Sequence, residues 1–368
     1  MTAHPTETAT ILVADDSVFA RRWAERLLVD AGHAVATAAG GERAYAAARA
    51  SRPDVLVADE AMSGLTGRRL VSALREHHAD MGMVLMSSSD EPGLEADALR
   101  LGVDRFVRTP CSENALAGAV AAARSAAAAR RERRERETHN ADEIRAAAAI
   151  QEALMPPPAA VPAGWSVRSA SLPARDVGGD VFDLVARDER RLVVAVADVS
   201  GKGIAGALFA AMFQTAVRAG LARGDEVAAA LGAAGGLMFD ALARAGRFVT
   251  ATVAEIDLAD GRVTYADAGH GHHLLLGAGG AERALTAGGP PLGFLPHPSY
   301  DRGAERIAAG ELLAIFSDGL VEGGGEGDPA GARAALAARL RAGERPEGIV
   351  AGAPDDDDRT LVVLGRKP

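Results

Sequence analysis

Aspartates beside glycines or at the ends of apolar runs recur in the second half of this 368-residue sequence. They are Asp180 in Gly178-Gly179-Asp180, Asp198 after LVVAVA, Asp318 before Gly319, and the run Asp355 to Asp358. One such turn is ordinary, but several beside predicted strands indicate a shared site. Carboxylates are preferred ligands of Mg²⁺ and Mn²⁺, and two such ions about 3.5–4 Å apart can hydrolyse phosphate esters. The pattern predicts metal-dependent phosphomonoester hydrolysis.

A second group of carboxylates lies near the N-terminus. Asp15 and Asp16 directly follow the first apolar run, and Asp59 directly follows the third. If these runs are parallel strands, their carboxyl ends are neighbours. Three like charges at one edge repel unless a cation joins them, and oxygen ligands of this kind suit Mg²⁺.

The elements around this group alternate between strand and helix. Residues 10–125 contain short apolar runs separated by amphipathic, helix-length stretches; the runs are Ile11–Ala14, Ala34–Thr37, Val55–Ala58, Met83–Met86 and Val103–Val107. This order predicts an α/β doubly wound domain with a five-stranded parallel sheet.

Residues 113–155 are predicted to be one helix, which the prolines at 156–158 end. Its middle, RRERRERE, is typical of a solvated surface. Its second half has 3–4 spacing at Ile144, Ala147 or Ala148, Gln151 and Leu154. A coiled-coil seam and a single exposed linker helix both fit this spacing.

The remaining residues combine short β-like runs with two helical stretches near 204–222 and 225–245. The runs are Leu192–Ala197, Thr250–Ile256, Val263–Ala266, Leu274–Leu276, Leu312–Phe316 and Thr360–Leu364. They predict an α+β sandwich flanked by helices. The resulting domain prediction is a disordered tail at 1–8, a first domain at 9–124, a helical linker at 125–156 and a second domain at 157–368. A flexible loop is expected at 323–331.

Composition restricts the partners. The chain has 40 basic and 50 acidic residues, a net charge of −10, which argues against nucleic acid and against an anionic membrane surface. The single cysteine, Cys111, fits a reducing compartment. No signal-peptide pattern is present at the N-terminus, and no apolar run approaches the roughly 18 residues that span a bilayer. We expect a cytoplasmic protein.

Residues 9–125 resemble the receiver domain of two-component response regulators, through ILVADDS, PDVLVADEAMSG, VLMSSS and FVRTP. The resemblance implies that Asp59 accepts a phosphoryl group from an upstream histidine kinase. It also implies that Asp16, Asp59 and the backbone carbonyl of Ala61 hold Mg²⁺, with Asp15 acting through water. Ser88, which is expected to end the fourth strand, would be the hydroxyl that follows the phosphoryl group.

One position departs from this pattern. Receivers carry a lysine just before the proline of the fifth strand, and this chain has Thr109 there. The neighbouring Arg108 should point to the opposite face, because side chains alternate along a strand. The aromatic switch position is Phe106, which lacks a hydroxyl. These departures predict a phosphoryl group that forms but signals weakly; the alternative is an inert receiver that only assembles a dimer.

Residues 148–365 resemble the PPM-type protein phosphatases, in the subgroup of bacterial sporulation and stress-response phosphatases (SpoIIE/RsbU-like). The matching stretches are IQEALMP, PARDVGGDVFD, VADVSGKGIAGALF, FVTATVAEID, YADAGHGHHLLL, GGPPLGF, FSDGLVE and DDDDRTLVVL. The resemblance implies direct in-line attack of water on phosphorus, two Mn²⁺ or Mg²⁺ ions and no phosphoenzyme.

The same resemblance implies the site residues. Asp180 and Asp198 would be catalytic and flank the two metals, with the backbone carbonyl of Val199 as a further ligand. Asp318 would bind the second metal. The family pattern D-D-x-T selects Asp357, with Asp358 beside it, although the run of four acids leaves this open by one position.

Other residues of these motifs have weaker implied roles. Arg175 would help to hold the substrate phosphate, since a guanidinium suits that geometry; the alternative is a surface ion pair. His270 occupies the family's glycine–histidine turn, for which a structural role is expected. After Asp318 the family carries a longer helical insert, and here the region is short and rich in Gly and Ala.

The resemblances together imply a response-regulator-controlled protein serine/threonine phosphatase. The substrate would be a STAS-type anti-anti-sigma factor in a partner-switching pathway, and the linker helix would form a homodimer. The alternative is an adaptor that sequesters a sigma-factor regulator with weak or no catalysis. Loss of an aspartate would favour the adaptor, and none is lost.

Overall fold

The computed structural model describes residues 8–277, 281–322 and 328–368. These form two compact units, Met1–Asn140 and Ala141–Pro368. The predicted tail at 1–8 lies outside the described residues except for Thr8, and so do residues 323–327 of the predicted loop.

The first unit is the predicted five-stranded parallel sheet, in the order β2-β1-β3-β4-β5, with helices between the strands. The strands are β1 (Thr10–Ala14), β2 (Ala34–Ala38), β3 (Val55–Asp59), β4 (Gly82–Ser87) and β5 (Arg105–Arg108). The helices are α1 (Val18–Asp30), α2 (Gly41–Ser51), α3 (Gly67–Arg75), α4 (Leu94–Arg100) and α5 (Glu113–Leu154). The inner strands β1, β3 and β4 are apolar except at their ends, because helices cover both of their faces.

Helix α5 begins in the first unit and ends in the second. Leu116, Val120 and Ala123 bury its first turns against the parallel sheet. Arg130 then donates to Asp104 Oδ1 at 2.6 Å and to the carbonyl of Ala79 at 2.9 Å. The helix ends at Leu154, and Met155 separates it from the prolines that were predicted to end it.

The second unit contains two antiparallel five-stranded sheets, in the orders β13-β10-β9-β8-β7 and β12-β11-β14-β15-β6. In chain order the strands are β6 (Trp165–Leu172), β7 (Val181–Ala186), β8 (Arg191–Val199), β9 (Val249–Asp257), β10 (Arg262–Ala268), β11 (His273–Leu276), β12 (Glu282–Arg283), β13 (Gly303–Arg306), β14 (Leu312–Phe316) and β15 (Arg359–Arg366). The helices are α6 (Ile204–Ala222), α7 (Val227–Ala245), α8 (Pro329–Arg341) and α9 (Pro346–Ala351).

This unit has three apolar layers, as expected for an α+β sandwich. Alternate residues of each strand face opposite sides, so Val194 of β8 joins the core between the sheets and Val193 joins the core beneath α6 and α7. Helices α8 and α9 cover the outer face of the second sheet with Leu336, Leu340 and Ile349.

Six elements of the second unit differ from the sequence-based expectation. Two of them, β12 and β13, are strands of only two and four residues, too short to give a pattern. Strands β6 and β7 were not predicted, because WSVRSASL and VFDLVA mix small or charged residues with the apolar ones. Helices α8 and α9 occupy the region described above as short and lacking a helical insert. Because both helices are rich in Ala, Arg and Gly, the sequence does not show the apolar stripe that packs on the sheet.

Helices α6 and α7 also correct the expectation about membrane-length segments. Each has 19 residues and is apolar enough, by length and composition, to cross a membrane. Isolated polar residues such as Gln214 and Arg218 interrupt the apolar run of α6 without ending the helix. In the apolar windows of α6 and α7, 44% and 39% of the residues are buried inside the protein. Core helices of soluble proteins pass the same test, so the two helices are weak evidence for a membrane span.

Candidate active site

The predicted aspartates of the second unit gather at one edge of the sandwich. A cavity of about 220 Å³ is lined by Asp198 near the end of β8, Asp318 after β14, and Asp357 and Asp358 before β15. Asp180, directly before β7, is close enough to Asp198 and Asp358 for their charges to raise its pKa. Positions that are more than 150 residues apart in sequence therefore meet only in the folded sheets.

Burial and mutual repulsion govern the charges of this cluster. Burial, followed by the charges of Asp318, Asp357 and Asp358, raises the pKa of Asp198 to about 7, and Lys202 opposes this shift. Burial and then the charge of Asp198 raise the pKa of Asp180 well above its usual range. Burial and then Asp357 raise the pKa of Asp318. Such a cluster gains stability from a multivalent cation.

Asp180 provides the test of whether a metal fits. Its side chain is only 4% exposed, and neither carboxylate oxygen has a hydrogen-bond partner. The hydroxyls of Ser317 and Thr360 act to lower its pKa, but they bond to the carbonyl of Asp358 and to Ser171 Oγ. A buried carboxylate without a partner is costly, and a divalent cation with oxygen ligands would satisfy it.

The carboxylates of this cluster do not converge on a single point. In residues 8–277, 281–322 and 328–368, no three His, Cys, Asp or Glu side chains stand close enough to share one ion. The fit to a metal therefore rests on the type of the donors, their burial, their raised pKa values and the unpartnered oxygens of Asp180.

Asp357 and Asp358 have different surroundings. Asp358 is 5% exposed, and its two oxygens accept from the backbone N–H groups of Ala174 (2.7 Å) and Gly179 (2.6 Å). Asp357 Oδ1 instead faces the ammonium of Lys202 at 3.0 Å. Asp358 holds the loop before Asp180, and Asp357 is the freer carboxylate.

Two glycines permit close contacts between the backbone segments that carry the carboxylates. A Cβ at Gly179 would lie 2.7 Å from the carbonyl oxygen of Val199, and a Cβ at Gly319 would lie 2.1 Å from the carbonyl oxygen of Asp358. Larger residues at either position would separate the strands that carry the carboxylates.

His270 lines the acidic cavity, and both of its ring nitrogens lie within hydrogen-bond distance of protein atoms. Its Nε2 lies 2.9 Å from the carbonyl of Phe316, and its Nδ1 lies 3.1 Å from Thr250 Oγ1. Burial, and then the neighbouring His272, lower its pKa to about 3, so the ring is neutral. The ring thus contacts the end of β14 two residues before Asp318.

The cation near the cluster is not the predicted one. Arg175 is exposed and does not line the acidic cavity, so it does not contact the cluster in this structure. Lys202, in the turn after β8, lines the cavity and contacts Asp357. The SGKG turn was visible in the sequence, but its lysine was not recognised as a site residue.

A further ion pair joins α6 to β7. Arg218 donates to both oxygens of Asp183, at 2.5 Å and 2.8 Å, and Asp183 is 3% exposed. Asp183 is thereby occupied and supports the strand that begins after Asp180.

The first unit brings its predicted carboxylates to the carboxyl ends of β1 and β3. Asp16 accepts from the backbone N–H and the hydroxyl of Ser63, at 2.7 Å and 2.5 Å. Asp59 accepts from the N–H of Ala61 at 2.9 Å. Burial raises the pKa of both Asp15 and Asp59, and the Asp15 charge adds to the shift at Asp59. The residues fit a cation with oxygen ligands.

The position of the missing lysine borders a cavity of about 570 Å³, which Asp15, Asp59 and Thr109 line together with Trp23 and Phe19. Arg108 points away and pairs with Asp90 at 2.9 Å, as predicted from strand alternation. The sequence pattern did not indicate a cation near Asp15. In the structure Arg21, one turn into α1, donates to the Asp15 carbonyl at 2.7 Å.

The switch residues of the first unit need one correction. Strand β4 ends at Ser87, so Ser88 does not end it and is exposed. Ser87 is 2% exposed and accepts from the N–H of Ser89 at 3.1 Å. The prediction erred because three serines follow one another and the last strand residue was misplaced by one. Phe106 is half-buried against the sheet core.

Comparison with known families matches both units. The Response regulator receiver domain matches residues 11–121, and Stage II sporulation protein E (SpoIIE) matches residues 188–367. The chain therefore belongs to the response-regulator receiver family in its first unit and carries a SpoIIE-type domain of the PPM phosphatase fold in its second.

Individual relatives agree with this division. Protein PilG of Pseudomonas aeruginosa is 31% identical over 114 residues, 30% of this chain and 84% of that protein. Phosphoserine phosphatase RsbU of Bacillus subtilis is 27% identical over 181 residues, 49% of this chain and 53% of that protein. This chain spans about half of RsbU, and 29% and 37% of two further curated relatives.

A solved structure shows the fold of the second unit. The SiaA-PP2C domain of Pseudomonas aeruginosa superposes with a TM-score of 0.53 at 22% identity. The match covers 63% of this chain and 98% of that chain.

Proposed function

We propose that the second unit is a metal-dependent protein phosphatase that hydrolyses phosphoserine or phosphothreonine. The observation that carries this proposal is the buried carboxylate cluster with the unpartnered oxygens of Asp180. RsbU and RsbP, the phosphoserine phosphatases among the relatives, support the substrate class.

The proposed ligands are the carboxylates of Asp180, Asp198, Asp318 and Asp357, with the carbonyl of Val199. Two Mn²⁺ or Mg²⁺ ions, when bound, would neutralise phosphoryl charge and activate water. Lys202 replaces Arg175 as the candidate for phosphate binding, because its ammonium lines the same cavity. His270 and Asp358 keep the ligand-bearing turns in place.

The different surroundings of Asp357 and Asp358 give a prediction that separates their roles. Asp357→Asn is expected to weaken Mn²⁺ binding by at least the roughly 10- to 100-fold that is lost when a residue outside the coordination sphere is replaced, with little loss of melting temperature. Asp358→Asn replaces one of two buried acceptors for backbone N–H groups, so it is expected to destabilise the fold by about 1–3 kcal/mol. Mn²⁺ titration and thermal unfolding of both variants measure the two effects. Equal behaviour of the variants contradicts the assignment.

The first unit is proposed to accept a phosphoryl group on Asp59 from a histidine kinase, with Mg²⁺ held by Asp16, Asp59 and the Ala61 carbonyl, and with Asp15 acting through water. Ser87, rather than Ser88, is proposed as the hydroxyl that follows this group. Without a lysine at Thr109, Arg21 is the basic side chain whose charge acts on Asp15 and Asp16.

Phosphorylation of Asp59 can be tested directly. Incubation of the chain with acetyl phosphate and Mg²⁺ is expected to add one phosphoryl group, seen as a mass increase in intact-protein mass spectrometry. Asp59→Ala should remain unlabelled, and Asp90→Ala, an exposed aspartate, should label like the wild type. Absence of label in the wild type, or equal label in Asp59→Ala, contradicts the proposal.

The pathway is part of the same proposal. A cytoplasmic STAS-type anti-anti-sigma factor is the proposed substrate, and the proposed homodimer forms through α5. Ile150 is 64% exposed on the last turns of this helix and is available to a second copy. Gln151 of the predicted seam, by contrast, already contacts its own unit.

A further inference from the structure

The last turns of α5 contact the loop before Asp180 through one side chain. Gln151 Nε2 donates to the carbonyl of Gly178 at 2.8 Å, and the N–H of Gly178 donates to Gln151 Oε1 at 3.1 Å. One amide therefore satisfies both backbone groups of one glycine. Asp180 follows that glycine by two residues.

The opposite side of the same loop is also fixed. A Cβ at Gly178 would lie 2.6 Å from Asp358 Oδ2, and the N–H of Gly179 donates to that same oxygen at 2.6 Å. Gly179 in turn lies against the carbonyl of Val199. The two glycines are thus held between Gln151 on one side and Asp358 and Val199 on the other.

This arrangement leaves the loop little freedom to move alone. Because Gly178 carries no side chain, its backbone groups are the part of the residue that Gln151 can hold. A displacement of Gly178 would change the position of Asp180 relative to the Val199 carbonyl and to the neighbouring carboxylates. The contact therefore bears on the geometry of the proposed metal ligands.

A second glutamine also contacts the end of α5, at the backbone of Leu154. Gln214 of α6, which is 3% exposed, donates from Nε2 to the carbonyl of Leu154 at 2.9 Å. It fixes the same helix end without touching the loop before Asp180. The two glutamines allow the attachment of the helix to be separated from the positioning of the loop.

We propose that Gln151 is a positioning residue that sets the metal affinity of the phosphatase site by holding Gly178, an inference that rests on the proposed metal ligands. The helix that begins at Glu113 would thereby end on the metal-ligand loop. Residues that orient metal ligands from outside the coordination sphere change metal affinity by roughly 10- to 100-fold when replaced.

The test is direct Mn²⁺ binding to the full chain, measured from the electron paramagnetic resonance signal of free Mn²⁺. Gln151→Met keeps the length of the side chain and removes its donor and acceptor. It is expected to weaken Mn²⁺ binding by roughly 10-fold or more. Mn²⁺-dependent hydrolysis of p-nitrophenyl phosphate should then require correspondingly more Mn²⁺ and approach the wild-type rate at saturation. All proteins carry Asp59→Ala, so that the site of the first unit does not contribute.

Gln214→Met is the matched control, and its Mn²⁺ affinity is expected to equal that of the parent protein. Gln151→Asn, whose amide is one methylene too short, gives the same test if Gln151→Met does not fold. Parental Mn²⁺ affinity in the folded Gln151 variants, or an equal loss in Gln214→Met, overturns the inference. If the parent binds Mn²⁺ but hydrolyses neither p-nitrophenyl phosphate nor a phosphoserine peptide, the proposed function fails while the binding comparison still decides the role of Gln151.

Discussion

Asp198→Asn is expected to lower the Mn²⁺-dependent hydrolysis of a phosphoserine peptide by about 1000-fold or more. Asp198 lies at the centre of the carboxylate cluster, and burial and three neighbouring acids raise its pKa to about 7. Metal ions contribute several kcal/mol to such reactions, and each 1.36 kcal/mol is a factor of ten in rate. An amide cannot supply the anionic oxygens that a divalent ion prefers.

Asp188→Asn is the matched control for this variant. Asp188 is an exposed aspartate of the same unit that pairs with Arg191 at 2.6 Å, away from the cluster. Its replacement is expected to leave the rate unchanged. Wild-type activity in Asp198→Asn would show that the acidic cavity is not the site of hydrolysis.

The same variant is expected to be more stable than the wild type when metal is chelated with EDTA. The pKa of Asp198 is about 7 in the folded chain against 3.8 for the unfolded reference, so the folded state binds more protons between these values. The penalty for ionising Asp198 therefore grows as the pH rises from about 4 to 7 and is complete above 7. A shift of this size amounts to about 2–4 kcal/mol, or roughly 5–10 °C in melting temperature.

Thermal unfolding at several pH values measures this effect. The melting temperature of Asp198→Asn should match that of the wild type near pH 4 and exceed it increasingly towards pH 8. Burial lowers the pKa of His270 to about 3, so the buried neutral ring costs both proteins stability as the pH falls. Because this loss is the same in both proteins, it cancels in the comparison. Mn²⁺ should stabilise the wild type more than the variant. A pH-independent difference, or a lower melting temperature of the variant at pH 8, contradicts the electrostatic account.

Much of the fold follows from local pattern. The runs of β1, β3 and β4 in the first unit and the apolar runs of β8 and β14 are nearly uniform, so their strands could be predicted. Strand β6 has the sequence WSVRSASL, in which serine and alanine weaken the alternation. Helix α8 buries three residues among alanines and arginines, so its pattern is visible only against the sheet that it covers.

The site was predictable to the extent that its residues stand in motifs. The aspartates beside glycines could be identified because turns of this kind recur beside strands. The contacts that distinguish them could not: Asp357 faces Lys202 and Asp358 faces backbone N–H groups across about 180 residues of sequence. The contact of Gln151 with Gly178 depends on the docking of a helix end, which the seam spacing of α5 does not encode.

The most direct test of the central claim is a Mn²⁺ titration of phosphoserine-peptide hydrolysis by the full chain, with and without acetyl phosphate. We predict no hydrolysis in EDTA, saturable activation by Mn²⁺, and a change of the activation curve on adding acetyl phosphate that Asp59→Ala removes. Hydrolysis that persists in EDTA, or Mn²⁺ binding without any hydrolysis, would contradict the assignment of a metal-dependent phosphatase.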